Sequence, residues 1–188
     1  NNNIITGNMI GTDATGTTGA GNGNYGIYLQ NGASYNQIGG TAAGESNVIS
    51  GNQQGGVGFG YAYTSTNYNS ILGNKIGTNA TGLASIPNNY FGIYFDGSLH
   101  NYNNIGDGST EGRNIISGNA GDGIYFSNGA SDNQILGNYI GVDATGNAAL
   151  PNDSNGIAIY NASRILIGNE SVGGRNIISG NGKEGIAI

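Results

Sequence analysis

The sequence predicts an all-β fold: a right-handed parallel β-helix, a solenoid of about six coils of about 33 residues in alternating pairs, running through residues 1–188 as a single segment. Three observations predict it. A phrase Asn-x-Ile, Asn-x-Ile, Gly-Ile-x-apolar recurs along the chain, with coils starting at Asn3, Asn36, Asn69, Asn103, Asn133 and Ile165, spaced 33, 33, 34, 30 and 32 residues apart. Within that repeat, four positions are large and apolar in every coil. The apolar runs are short, have a period of two and are closed by Gly or Asn, which specifies strand and excludes helix.

The first rung is Ile5, Ile38, Ile71, Ile105, Ile135 and Ile167, and the second is Ile10, Ile49, Ile76, Ile116, Ile140 and Ile178. The third is Ile27, Val57, Ile93, Ile124, Ile157 and Ile186. The fourth, two residues on and therefore on the same strand face, is Leu29, Phe59, Phe95, Phe126, Ile159 and Ile188. One coil cannot cover its own apolar face, so stability is collective along the stack.

Asn stands two residues before the first and second rungs: Asn3, Asn36, Asn69, Asn103 and Asn133, then Asn8, Asn47, Asn74, Asn114, Asn138 and Asn176, with Ile165 the one exception. An offset of two turns these amides inward. There they can bond main-chain groups at the corners, a structural role.

Coils alternate in loop length. In odd coils a loop of 16 positions joins the second rung to a Gly, as from Ile76 to Gly92; in even coils that gap is 7 and the gap from the first rung to the second Asn is 9. The sequence unit is thus a coil pair.

Composition narrows the partners. Five Lys and Arg against eleven Asp and Glu leave a net charge of −6, and the basic residues are scattered singly, which argues against nucleic acid. No apolar run reaches the roughly 18 residues of a membrane span. Without Cys, disulfides and thiolate metal sites are excluded.

The phrases NQIGGTAAGESNVISGN (36–52) and GNYIGVDATGNAAL (137–150) resemble repeats of the pectin lyase-like superfamily, in particular those of large repetitive secreted bacterial surface proteins. The resemblance covers the whole chain. It implies a parallel β-helix at the cell surface or outside the cell. It leaves function open, because the superfamily includes lyases, hydrolases, epimerases, adhesins and stalks.

A lyase site would need Arg or Lys beside acidic groups, and a hydrolase site two or three carboxylates close together. Arg113 and Arg175 occupy equivalent positions in even coils, but the third equivalent is Ser46; a surface ion pair with the nearby Glu111 or Glu45 is the expected role. His100 has no triad partner in register and is expected to be a solvated loop residue. The loop openings place Asp13, Asn79 and Asp143 in one column, two coils or about 10 Å apart. An Asx turn closing each loop is favoured there over a Ca²⁺ site. Neither a metal nor a cofactor is expected.

The residue between the third and fourth rungs points outward. Here stand Tyr28, Gly58, Tyr94, Tyr125, Ala158 and Ala187, with Tyr25, Tyr90 and Phe91 just before two of the tyrosines. Tyr28, Tyr94 and Tyr125 are the candidate carbohydrate-binding residues, a platform on which sugar rings stack.

The leading functional expectation is a non-catalytic extracellular structural or adhesive segment, a filament subunit or surface stalk. A carbohydrate-active enzyme and a sugar-binding module on the same fold are the alternatives. Expected partners are further coils or identical subunits stacked head to tail, and a polysaccharide. Asn1 to Asn3 enter directly at a first rung and Ile186 and Ile188 complete the last, so axial continuation is expected.

Overall fold

The computed structural model describes residues 1–60 and 65–188, and these build a parallel β-solenoid. Three six-stranded sheets run the length of the stack. The first holds Ile4–Ile5, Gln37–Gly39, Ser70–Leu72, Asn104–Ile105, Gln134–Ile135 and Leu166–Ile167. The second holds Met9–Ile10, Val48–Ile49, Lys75–Ile76, Ile115–Ile116, Tyr139–Ile140 and Ile177–Ile178. The third holds Ile27–Leu29, Gly55–Phe59, Phe91–Asp96, Ile124–Ser127, Ile157–Ile159 and Ile186–Ala187. Each strand pairs in parallel with the strand one coil away, so the chain makes five full turns and the strands of a sixth. No helix among the described residues is long and apolar enough to cross a membrane.

The register is the one the rungs predict. Ile38 pairs with Ile71, Ile49 with Ile76, Ile93 with Ile124, and Phe95 with Phe126. Strands this short are held by what they bury, and the rungs from the second to the fifth coil are almost completely enclosed. In the fourth rung the rings of Phe59, Phe95 and Phe126 stack at centroid distances of 4.1 and 4.5 Å. Each burial of such a side chain contributes about 1.5–3 kcal/mol.

Buried amides are satisfied by ladders. In the first, the main-chain N–H and the Nδ2–H of Asn36 both donate to Oδ1 of Asn69 (2.9 and 2.8 Å), and the pattern runs from Asn3 to Asn133. The second runs from Asn8 to Asn176, and its Nδ2 groups also donate to first-sheet carbonyls, as from Asn114 to Ile71 at 2.8 Å. A third ladder, which sequence reasoning missed, links Asn22, Asn52, Asn88, Asn119, Asn152 and Asn181. Its signal was present, since each of these Asn stands five residues before the third rung. The glycine that follows the ladder has to be small: a Cβ on Gly92 would lie 2.7 Å from Ile116 Cγ2 and 2.5 Å from the Gly123 carbonyl oxygen.

The long odd-coil loops make direct contact across the intervening coil. The Ala80 N–H donates to the Gly16 carbonyl at 2.8 Å, and the Ala144 N–H to that of Gly82 at 3.0 Å. Each loop therefore spans two coil heights, which explains why long loops occur only in every second coil.

Candidate aromatic binding surface

The outer face of the third sheet carries the candidate residues. Alternation along Phe91–Asp96 and Ile124–Ser127 puts Ile93, Phe95, Ile124 and Phe126 inside and Tyr94 and Tyr125 outside. In-register pairing then places Tyr94 beside Tyr125, with ring centroids 5.5 Å apart and planes at 45°. Tyr28 lies two coils from Tyr94, separated from it by the Gly58 coil.

Tyr25 closes that gap. Its ring stacks on Tyr28 at 5.0 Å and lies parallel to Tyr94 at 6.4 Å. It fits because Gly58 has no side chain: a Cβ there would sit 2.8 Å from the rings of both Tyr25 and Tyr28. Phe91 packs on Tyr94 at 4.7 Å and on Tyr125 at 5.1 Å, and Tyr160 continues the line past Tyr125 at 5.5 Å. The structure thus joins all three predicted tyrosines into one aromatic ribbon. Tyr160 was missed, although its position two residues after Ala158 puts it on the same strand face.

A cleft of about 500 Å³ opens along the ribbon, lined by Asn24, Tyr25, Tyr28, Gln54, Tyr90, Phe91, Tyr94 and Asp96. Asp96 Oδ1 accepts a hydrogen bond from Asn128 Nδ2 at 2.7 Å. Burial, then the neighbouring phenols and Asp96, push the Tyr25 phenol well above its usual value. Burial likewise raises Tyr94 and Tyr125. These hydroxyls stay protonated at neutral pH and can donate hydrogen bonds.

A second aromatic stack, unforeseen in the sequence, stands at the corner before the first sheet. Tyr35, Tyr68 and Tyr102 stack at 5.1 and 5.3 Å, with planes within 13°. All three adopt left-handed backbone, at φ near 59°, 59° and 57°. These three rings are exposed and run along one corner, whereas Tyr94, Tyr125 and Tyr160 are joined by Tyr25, Tyr28 and Phe91 beside a cleft.

Two expectations need correction. His100 is fully buried rather than solvated. Its Nε2 lies 3.0 Å from the Asp96 carbonyl oxygen and its ring meets Phe59 edge-on at 5.9 Å, so the corner folds the imidazole over the fourth rung. Among the described residues Arg113 has no ion-pair partner. Its Nε donates to the Gly137 carbonyl at 3.0 Å, Nη1 donates to Tyr139 Oη at 3.1 Å, and its guanidinium lies 4.2 Å over the Tyr139 ring. The planar cation finds an aromatic face one coil on, which a point charge at the surface would not supply. Glu45 is used locally and accepts from the Ala42 N–H. Arg175 borders a separate cleft in the last coil. Among the described residues the ion pair found is Arg164 with Asp132, two contacts of 2.7 Å.

As expected, Asp13, Asn79 and Asp143 close their own loops, and Asp143 does so with an Asx turn to the Thr145 N–H at 3.1 Å. Asp13 accepts from the Thr15 hydroxyl and the Thr17 and Thr18 N–H groups at 2.9, 2.9 and 3.2 Å. Asn79 and Asp143 do the same in their own loops. Hydrogen bonds hold Asp13 and Asp143 below the usual carboxylate range, the Thr17 N–H contributing most to Asp13 and the Thr145 hydroxyl most to Asp143. Among the described residues no three His, Cys, Asp or Glu side chains converge as a metal site.

Burial lowers the His100 pKa below its usual 6.5. The unfolded chain therefore binds the imidazole proton more readily than the folded one. The stabilisation is complete above pH 6.5 and declines as pH falls from there toward the depressed folded value. Unfolding titrations between pH 7.5 and 5 should show this decline, and His100→Gln should flatten it; an unchanged slope in the variant would remove His100 as its source.

The fold and this surface define the class: a parallel β-solenoid with a lengthwise aromatic ribbon. Comparison with protein-family models, with curated proteins and with solved structures found no match to the chain.

Proposed function

We propose that the chain is a non-catalytic adhesive segment of an extracellular or cell-surface solenoid, and that its aromatic ribbon holds a polysaccharide. The observation that carries this reading is the line of rings Tyr28, Tyr25, Tyr94, Tyr125 and Tyr160 beside a cleft rimmed by Asn24, Gln54 and Asp96. Aromatic faces next to a few polar groups suit sugar rings, whose C–H faces are apolar and whose edges carry hydroxyls. The engagement of Arg113 by Tyr139 and Gly137 supports binding over β-elimination, because the guanidinium is already committed. Kinship with the secreted surface proteins of the pectin lyase-like superfamily belongs to the same proposal. So does head-to-tail association with further coils or identical subunits, which the unbroken rung columns and Asn ladders support.

Glycan-array and titration measurements test it. Tyr94→Ala and Tyr125→Ala are each expected to weaken binding about fivefold, in line with the roughly 1 kcal/mol of an aromatic contact, while the unfolding midpoint moves little. Retention of full affinity in the double variant would sink the ribbon as the site. Release of unsaturated ends from pectin or alginate that is lost in Arg113→Ala would instead establish an enzyme.

A further inference from the structure

We infer that the ribbon selects a neutral glycan laid along the solenoid axis and turns away polyuronate chains. This inference rests on the glycan-binding reading above and adds the substrate class and its direction.

Direction follows from the register. The rings descend from Tyr28 in the first coil to Tyr94, Tyr125 and Tyr160 in the third, fourth and fifth, so the ribbon crosses the strands instead of following one. Neighbouring coils are about 4.8 Å apart. That step is close to the length of one sugar in an extended chain, so successive sugars can meet successive rings. Tyr25 supplies a ring at the level where Gly58 has none. A chain lying across the axis would meet one coil's ring and then the polar corners.

Charge decides the class. Among the described residues Asp96 is the one charged side chain lining the cleft, while Asp122, in the next coil, is buried and its Oδ1 accepts from the Asn155 N–H and Nδ2 at 2.8 and 2.7 Å. None of the five cations lines the cleft. Arg113 lies over Tyr139, Lys75 reaches Ser46, Arg164 is held by Asp132, Arg175 borders the cleft of the last coil, and Lys183 is exposed in the last coil, three coils beyond Tyr90. A uronate carries one carboxylate per sugar. Such a chain would set a row of anions beside Asp96 in a molecule of net charge −6, with no cation among the described lining residues to receive them. A neutral chain meets complementary groups: the Asp96 carboxylate accepts from sugar hydroxyls, the Asn24 and Gln54 amides do either, and the raised tyrosines donate.

The test uses matched oligosaccharides that differ only at C6: cello-oligosaccharides against β-1,4-glucuronan, and β-1,4-mannan against mannuronan, titrated by calorimetry in 20 mM and 150 mM salt. The neutral member of at least one pair should bind, with its acidic partner about tenfold weaker or more at 20 mM salt and the gap narrowing at 150 mM. Asp96→Asn should narrow the gap from the other side by improving the acidic member. Gly58→Ala, which the backbone accepts but the rings of Tyr25 and Tyr28 do not, should weaken neutral binding and leave the fold intact. Binding of the acidic chain as tightly as the neutral one overturns the inference and leaves the glycan-binding reading standing. Binding of none of the four, or binding unaltered in Tyr94→Ala/Tyr125→Ala, overturns that reading itself.

Discussion

Phe95→Ala is expected to lower stability by about 3–5 kcal/mol, the range for removing a fully buried aromatic side chain. Phe95 lies between Phe59 and Phe126 in the fourth rung and is fully enclosed. Collapse into the space is blocked, because the strands on both sides are fixed in register by parallel pairing one coil above and below. The cavity therefore remains, and two ring-to-ring contacts are lost with it. Asn104→Ala, at an exposed position of a first-sheet strand, should stay within about 0.5 kcal/mol. Denaturant titration of the three proteins checks both figures; equal losses in the two variants would mean that the inward and outward faces are misassigned.

Asn114→Ala should cost about 1–3 kcal/mol, although it removes only an amide. Its Oδ1 accepts from the main-chain N–H and the Nδ2–H of Asn74, at 2.9 and 3.1 Å. Its own Nδ2 donates to the Ile71 carbonyl and to Asn138 Oδ1, at 2.8 and 2.9 Å. Truncation leaves the buried Asn74 main-chain N–H without an acceptor, a loss of about 1–3 kcal/mol at a site that water does not reach, while Asn74 Nδ2 keeps the Ile38 and Leu72 carbonyls at 2.9 and 3.0 Å. Asn147→Ala, in an exposed loop, is the matched control. Besides the shift in midpoint, amide hydrogen exchange should show lost protection at the Asn74 N–H. Undiminished protection there would mean that the ladder does not hold the corner.

The repeat, the four rungs, two Asn ladders and the outward placing of Tyr28, Tyr94 and Tyr125 were legible in the sequence. All of them depend on two short-range rules. Side chains alternate along a strand, and parallel coils of nearly constant length stack residues of equal phase. Ile38 against Ile71 and Tyr94 against Tyr125 follow from counting alone. The third Asn ladder was legible in principle, but its offset of five crosses a corner, where alternation no longer says which way a side chain faces.

What the tertiary structure alone decided is how side chains use space left by other coils. Tyr25 covers the vacancy over Gly58 and so joins Tyr28 to Tyr94. His100 turns in over Phe59, Arg113 leaves the loop carboxylates for the ring of Tyr139, and the odd-coil loops reach across a whole coil to bond one another. Each outcome depends on rotamers and corner backbone that are chosen by neighbours about 25 to 70 residues away in the chain. Periodicity fixes the phase of a residue, whereas the packing of its neighbours selects where a long side chain ends.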